Sequence, residues 1–552
     1  MITVSKLIVR YMQRLGIDTI FGMPGAHILP VYDCLYDSDI TTVLAKHEQG
    51  AAFMAGGYAR ASGRIGACIT TAGPGATNLV TGVANAYVDK LPMLIITGET
   101  STHIFGKGGL QESSGEGGSI DQSSLFKGIT RYHSIIQRTD YLTNVLNRAA
   151  KILLSNNPGP VLLSFPFNLQ QEMVDETLLD NIRTEKNIDA SVGGAQVIAR
   201  FADLLIEAKA PVIIAGYGCI HSGAEQQVAA LSETMAIPVA SSLKGKGIIS
   251  EQSPLSLGSL GVTSYGPARD YIVEQADLLI ILGAAFNERT SYVWDKDLLA
   301  QKRVVQVDYD EEQLEKVFTA DLAIQGDIKA VLEAVSSRIQ QQGVGPRVLD
   351  QLPEMLMDTD PNSDAGVFRH QFALVEAFFT CLETHFPQDM MLFDDNIIFA
   401  QNFFRVSAAN TYYPNSGVSS LGHAIPAAIG ARFAREQTVF AVLGDGGFQM
   451  CCMEIMTAVN YQIPITIIMF NNSTMGLIRK NQYQQYEERF INCDFINPDY
   501  EVLAQSFGIH YRRIETIDDI EPMFTSMDLT GSINLIEIMI DKDLFPGYIS
   551  KR

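Results

Sequence analysis

Asp445 and Asn472 are the residues whose types and spacing point most directly to chemistry. Asp445 stands in Val442-Leu443-Gly444-Asp445-Gly446-Gly447-Phe448, where an apolar run ends. Asn472 follows 472 − 445 = 27 positions later, where a second run, Ile465 to Phe470, closes on Asn471-Asn472. Two short apolar runs flanking a helical pattern read as a βαβ unit of a parallel sheet. Ligands of such sheets bind beyond the carboxyl ends of the strands. The two residues are therefore expected to meet at one edge, offering a carboxylate and an amide oxygen. Both are hard oxygen ligands suited to Mg²⁺, which keeps positions open for phosphate oxygens. Gly444, Gly446 and Gly447 would let backbone N–H groups approach a diphosphate without a Cβ in the way. Either half alone reads equally well as a turn or a loop start; only the combination at this spacing is specific.

The elements that must position these residues recur along the chain. Apolar runs alternate with helical patterns at Thr19 to Phe21, Thr42 to Leu44, Ala67 to Thr70, Met93 to Thr97 and Val161 to Phe165. A second block has runs at Pro211 to Ala215, Ile237 to Ala240, Leu278 to Leu282 and Val304 to Asp308, and a third at Met390 to Phe393, Val439 to Leu443, Ile465 to Phe470 and Ile533 to Ile540. Polar stretches, Gln171 to Gly193 and Gln340 to Ser363, separate the blocks and read as linkers. The expectation is an α/β protein of three consecutive parallel-sheet domains, at 1–170, 190–340 and 364–552.

Gly-Asp-Gly at a fixed interval from an Asn pair resembles the signature of thiamin diphosphate (ThDP) enzymes. The resemblance implies that the metal takes Asp445, Asn472 and the backbone carbonyl of Thr474, with the cofactor-binding stretch running on through Met475, Gly476 and Leu477. Earlier motifs extend the likeness. Pro24-Gly25-Ala26 follows a strand, Glu48 opens a helix rich in small residues, and Thr71-Ala72-Gly73-Pro74-Gly75-Ala76-Thr77-Asn78 is a glycine-rich strand-to-helix turn. Alone, Glu48 could simply favour a helix N-terminus. Together these stretches resemble the pyrimidine-binding domain of enzymes of the acetohydroxyacid synthase type, in consistent order over nearly the whole chain. The central block is then Rossmann-like and the third binds the diphosphate.

That resemblance assigns roles. Glu48 would hydrogen-bond the pyrimidine and set its tautomer, and Leu421, in Gly417-Val418-Ser419-Ser420-Leu421-Gly422-His423, would hold the cofactor bent, with Ser420 beside it. Gln111, in Leu110-Gln111-Glu112, would lie near the reactive carbon, within a Gly/Ser-rich stretch (Gly106 to Gly118) that as bare sequence is a flexible surface loop. Arg289 would read the acceptor's carboxylate, for which a guanidinium is well shaped. Asn481 stands where synthases have the tryptophan that sizes the acceptor pocket. FAD is left open: the flavin-associated arginine is Ala285 here, and the flavin-associated Gly-Met-His-Gly is replaced by Gly261-Val262-Thr263-Ser264-Tyr265-Gly266.

The implied activity is ThDP- and Mg²⁺-dependent decarboxylation of a 2-oxo acid, pyruvate for preference, with transfer of the acyl-anion equivalent to a carbonyl acceptor. A 2-oxo acid decarboxylase or a carboligase with another acceptor is the alternative. A catalytically silent ThDP- or nucleotide-binding regulator is the alternative of another class. A nicotinamide dehydrogenase lacks its glycine fingerprint. Active sites at a subunit interface, in a homodimer at least and plausibly a tetramer, also come with the resemblance.

Bulk properties set the remaining bounds. The 552 residues are 47% hydrophobic and 18% charged, enough apolar material for large cores. A net charge of −22 argues against nucleic acid or an anionic membrane surface as partner. No apolar run reaches membrane-span length. Seven scattered cysteines without metal spacing read as buried free thiols of a cytoplasmic protein.

Overall fold

Stretches apolar enough to be buried on both faces become the inner strands of three parallel sheets. The computed structural model describes residues 1–186, 192–349, 352–353 and 360–548. The N-terminal sheet is built from β1 (Thr19–Gly22), β2 (Thr41–Leu44), β3 (Gly66–Thr70), β4 (Met93–Glu99), β5 (Tyr132–Ile135) and β6 (Pro160–Pro166), in the order β2-β1-β3-β4-β6-β5. The central sheet is built from β7 (Pro211–Ala215), β8 (Val239–Ser242), β9 (Ser256–Leu260), β10 (Leu278–Leu282), β11 (Arg303–Asp308) and β12 (Leu322–Gln325), in the order β9-β8-β7-β10-β11-β12. The C-terminal sheet is built from β13 (Met390–Asp394), β14 (Thr411–Pro414), β15 (Thr438–Gly444), β16 (Thr466–Asn471), β17 (His510–Ile514) and β18 (Asn534–Met539), in the order β14-β13-β15-β16-β18-β17. All pairings within these sheets are parallel. The expected three-domain α/β class is the observed one. The central order is the one associated with dinucleotide folds, and the outer two change direction between their first and third strands.

The linker reading is only partly matched. Met173–Val174 pairs antiparallel with Ile2–Thr3, Leu179 and Ile182 are buried in the N-terminal core, and Arg10 and Arg14 pair with Glu176 and Asp180. The first half of Gln171 to Gly193 is therefore docked on the N-terminal domain, which polar composition alone conceals. In the second stretch, Gln340 and Gln341 still belong to the helix Ile328–Gln341, and Arg347 donates to the carbonyls of Leu205, Ala208 and Met235. Residues 187–191 of the first linker, and 350–351 and 354–359 of the second, lie outside the described residues.

The N- and C-terminal domains meet through two helices, α1 (Glu48–Ser62) and α2 (Ala424–Ala434). Small residues let the backbones approach closely: a Cβ on Gly57 would fall on the Ala427 carbonyl, and one on Gly430 on the Met54 carbonyl. α1 is capped by the His47 side chain, which accepts from Gln49 N, and ends at Gly63 in the left-handed conformation (φ 68°). Behind this seam lies a buried ion cluster in which Asp89 takes both Arg60 and Lys244, the latter from the central domain. Burial pushes the Asp89 carboxyl up, but the two cations outweigh it and hold it below its ordinary value. None of the seven cysteines is in a disulfide; Cys68, Cys219, Cys451 and Cys493 are buried and the other three partly so.

Candidate active site

The Gly444-Asp445-Gly446 segment leaves the carboxyl end of β15, and Asp445 opens a short helix, α3 (Asp445–Cys451). The Asn pair leaves the adjacent strand β16. The loops meet as expected: the Asp445 carboxylate accepts from the Ser473 N–H at 2.7 Å and from its own neighbour Gly446 N at 2.9 Å. Asn472 Oδ1 accepts from Thr474 N at 3.3 Å, and Thr474 is locked by its hydroxyl donating to the Cys493 carbonyl at 2.9 Å. Ser473, between them, holds φ 55°, a left-handed turn that folds the loop back towards Asp445. Gly476 begins helix α4 (Gly476–Gln485), with Leu477 half-buried on its first turn and Asn481 one turn further on.

A side chain at these glycines would displace the groups that build the site. A Cβ on Gly446 would lie 2.6 Å from Met475 Sδ, one on Gly447 2.8 Å from Asp395 Oδ2, and one on Gly476 2.8 Å from Asn472 Nδ2. Asp395, at the end of β13, is fully buried, and its carboxylate accepts from Gly422 N at 2.6 Å and His423 N at 3.0 Å. It thereby fixes the backbone directly after Leu421, in a segment where Ser419 and Gly422 both have positive φ (58° and 82°). Ser420 presents a buried hydroxyl oxygen without a partner among the described residues, while its carbonyl accepts from Asn415.

The N-terminal residues gather at the matching edge of the first sheet. A Cβ on Gly25 would lie 2.5 Å from Thr71 Cβ, and Gly73, at φ 62°, faces Gln111. Gln111 Oε1 sits 3.2 Å from His27 Nδ1 and accepts from Thr71 Oγ1 at 3.3 Å. Glu48, the first residue of α1, accepts from Asn78 Nδ2 at 2.9 Å through Oε2. Pro24 and Ala26 are exposed. Among the described residues, no hydrogen bond or ion pair joins Glu48 to Leu421, Asp445 or Asn472.

The Gly/Ser-rich stretch Gly106 to Gly118 is stitched rather than floppy, a correction to its reading from composition. Glu112 accepts from Gly106 N at 2.6 Å, Gly109 N at 2.9 Å and Ser114 Oγ at 2.6 Å. Those donors, Ser114 first, hold the Glu112 carboxyl below its ordinary value. Ser113 ties the same loop to Gly73, whose N–H donates to its hydroxyl at 3.0 Å.

Arg289 is partly buried and its Nη1 donates to Asn396 Oδ1 at 2.6 Å, so it faces the C-terminal domain rather than a surface carboxylate. It also lines a cavity of about 520 Å³ at the carboxyl edge of the central sheet, shared with Tyr217, Lys244, Ala285, Asp308 and Gly417.

The residues fit a metal and a diphosphate. Asp445 is buried and no cation pairs with it among the described residues, and burial pushes its carboxyl up despite hydrogen bonds from Asn497, Ser473 and Gly446. A divalent ion would remove that penalty. Asn497 escaped the sequence reading: its Nδ2 donates to Asp445 Oδ2 and to Asn471 Oδ1, both at 2.8 Å. It arrives from a loop with no motif of its own, and no signal could have found it. Asp395 had one, a pair of acidic residues ending an apolar strand.

Three family models match the chain: "Thiamine pyrophosphate enzyme, N-terminal TPP binding domain" over residues 2–124, the central domain of the same enzymes over 198–335, and their C-terminal TPP binding domain over 396–538. Among curated proteins, a probable acetolactate synthase large subunit of Methanococcus aeolicus is 32% identical, over 97% of this chain and 92% of its own length. The acetolactate synthase isozyme 2 large subunit of Escherichia coli is 31% identical over 98% and 95%. An acetolactate synthase large subunit of Lactococcus lactis is 30% identical over 98% and 92%.

Proposed function

The chain belongs to the thiamine pyrophosphate enzymes, and from that premise we propose that it is an acetolactate-synthase-like carboligase. It takes a 2-oxo acid, pyruvate for preference, releases CO₂ and transfers the remaining acyl unit to a carbonyl acceptor. The observation that carries the reading is the closure of Asp445 on the loop of Asn472 and Thr474, in a chain that matches acetolactate synthases over almost its whole length.

Residues 1–170 are taken as the pyrimidine half, 190–340 as the central domain and 364–552 as the diphosphate half. Asp445, Asn472 and the Thr474 carbonyl would hold Mg²⁺, and the N–H groups of Gly444 to Gly447 would face the diphosphate, with Ser420 and Met475 to Leu477 completing that half of the site. When bound, ThDP supplies the electron sink that decarboxylation needs. The chain's own residues do the rest. Glu48 keeps Oε1 for the pyrimidine, because Oε2 is taken by Asn78, and there it holds the proton that sets the ring's tautomer. Leu421, on backbone fixed by Asp395, would support the cofactor's rings. Gln111, oriented by Thr71 and His27, would be the residue held towards the reacting carbon, while Arg289 and Asn481 would receive the acceptor.

Among the described residues no hydrogen bond or ion pair joins Glu48 to Leu421, Asp445 or Asn472, and we take a second copy of the chain to complete the site. Support for a homodimer or larger assembly comes from large apolar residues left open beside each half. Leu110, next to Gln111, is 72% exposed, and Ile491 and Ile496, flanking the metal loop's support, are 68% and 95% exposed. Among the described residues no helix is long and apolar enough to cross a membrane, and we take the enzyme to be cytoplasmic.

Purified protein given pyruvate, ThDP and Mg²⁺, with and without FAD, tests the reading. Acetolactate formed together with CO₂ is the expected result, and the paired assays decide the flavin question. Acetaldehyde as the only product would replace the carboligase by a decarboxylase; no turnover of any 2-oxo acid would overturn both.

A further inference from the structure

Outside the metal loop, two groups of polar side chains in the C-terminal domain differ in what they leave open. The first is closed on itself. Arg479 of α4 donates to Asp494 Oδ2 and to Asp543 Oδ1, both at 2.7 Å. Residues 541–548 lie over that helix as a strap: Asp543 binds Arg479, the Phe545 ring packs on Tyr483 at 4.8 Å, and the Tyr548 ring covers the Lys480 ammonium at 3.6 Å.

The second group, Cys381, His385 and Glu521, converges on a point that water can reach. Cys381 and His385 stand four positions apart on the helix Ala373–His385, and so share a face. Glu521 comes from the first turn of the helix Ile520–Ser526. Cys381 Sγ donates to Glu521 Oε2 at 3.1 Å, and His385 Nε2 lies 3.2 Å from both Glu521 oxygens. One sulfur, one nitrogen and one oxygen atom thus lie within 4.8 Å of one another. The His385 ring is stacked on Phe524 at 4.9 Å and 11°, one turn after Glu521, which fixes the plane of the imidazole. Cys381 is partly buried, while the His385 and Glu521 side chains are 29% and 65% exposed. An ion can enter without moving any element of the fold.

The chemistry of the three donors is selective. Thiolate, imidazole and carboxylate are the ligand types that zinc takes, and a thiolate disfavours Mg²⁺ and Ca²⁺. Bonds of about 2.0–2.3 Å in a tetrahedron put ligand atoms about 3.3–3.7 Å apart, close to the separations found here. Burial, and then the Glu521 carboxylate, push the Cys381 thiol up to about 12, so at neutral pH it keeps its proton. A divalent ion reverses that preference: the thiol proton passes to water as the sulfur–metal bond forms. The cysteines show no metal spacing among themselves, and this set is visible only because a histidine follows Cys381 by four residues and the fold adds Glu521.

We propose that Cys381, His385 and Glu521 form a second metal site, for Zn²⁺ or an ion of its class, with water as the fourth ligand. The ion pins the helix that leads into β13 to the helix that lies between β17 and β18. None of the three residues has a hydrogen bond or ion pair with Asp445, Asn472 or Thr474 among the described residues, so the role is structural and independent of the carboligase reading.

Co²⁺ is the probe, added to the full-length protein in the presence of ThDP and excess Mg²⁺, which occupy the all-oxygen site. The expected result is a thiolate-to-cobalt charge-transfer band in the near ultraviolet that saturates at one equivalent and is abolished by Zn²⁺. Cys381→Ser should remove the band, and His385→Ala and Glu521→Gln should weaken Zn²⁺ binding by at least roughly tenfold. Zn²⁺ should raise the thermal midpoint of the wild type and not that of Cys381→Ser, with acetolactate formation the same in both. Absence of the band, a band that needs many equivalents, or one that survives in Cys381→Ser would overturn the proposal and leave the three residues as a hydrogen-bonded surface group.

Discussion

The N-terminal and C-terminal domains are the same scaffold used twice. Numbered within each sheet, both run 2-1-3-4-6-5, whereas the central sheet runs 3-2-1-4-5-6. Both outer sheets carry their site residues on the loops after their first and third strands: Gly25 and Gly73 in one, Asp395 and Asp445 in the other. Yet the two edges offer different chemistry. The N-terminal edge presents an amide, an imidazole, hydroxyls and Glu48 at a helix start, while its other two buried carboxylates, Glu99 and Glu112, are tied up by donors of their own loop. The C-terminal edge buries three carboxylates, Asp394, Asp395 and Asp445, among glycine backbone. The sheet fixes where a site can be, and a few loop residues fix what it does.

Breaking one twin at a time tests this division. The largest effect is expected from Glu48→Gln, which keeps the shape of the N-terminal edge but removes its carboxylate: turnover should fall by roughly 10²–10⁴, while the thermal shift produced by ThDP and Mg²⁺ persists. Loss of that shift would mean that Glu48 holds the site together instead of running its chemistry.

Asp445→Asn attacks the other twin. Metal affinity should fall by on the order of 100-fold or more, seen as loss of the Mg²⁺-dependent ThDP shift in calorimetry. The ligand-free variant should melt no lower than wild type, because burial already disfavours the Asp445 charge. A lower apo melting point would show that the carboxylate is a structural anchor.

The seam between the twins comes next. Gly57→Ala places a methyl group against the Ala427 carbonyl, which should cost about 1–3 kcal/mol in denaturant unfolding. An unchanged midpoint would mean that the seam gives way easily.

The smallest effect concerns pH. Burial pushes Asp394 up to about 7 and Asp395 up to about 6. An acid whose folded value exceeds its unfolded one binds protons more tightly when folded, so stability rises as pH falls through that window. Cofactor-free protein should therefore gain on the order of 1 kcal/mol between pH 8 and pH 6, measured by chemical denaturation. Asp394→Asn should flatten the slope.

The inner strands were legible because residues buried on both faces must be continuously apolar, as in Leu278 to Leu282. The strands that escaped, β5, β9, β12, β14 and β17, are all edges: Tyr-His-Ser-Ile, Ser-Leu-Gly-Ser-Leu, Leu-Ala-Ile-Gln, Thr-Tyr-Tyr-Pro and His-Tyr-Arg-Arg-Ile. An edge strand faces water along one side and loses its apolar signature. In the candidate site, the Asp445–Asn472 spacing was readable because neighbouring strands of one sheet force the encounter. Asp395 on Gly422 and Asn497 on Asp445 were not, because each joins segments whose proximity only the folded chain creates. Glu112 looked like one polar residue among glycines, and its role emerged only from the three donors that converge on it.

The strap over α4 ties the order of synthesis to the state of the site. The last sheet strand, β18, ends at Met539, so every strand of all three sheets has been made before Asp541 leaves the ribosome. The residues that fasten the helix behind Asn472 are thus translated after the last of the sheet strands. A chain released short of Asp543 would possess its whole scaffold and still lack the carboxylate, the phenylalanine and the tyrosine that hold α4. Translation past the last sheet strand is in this sense a condition of the site's competence, since contacts that hold α4 come from Asp543, Phe545 and Tyr548.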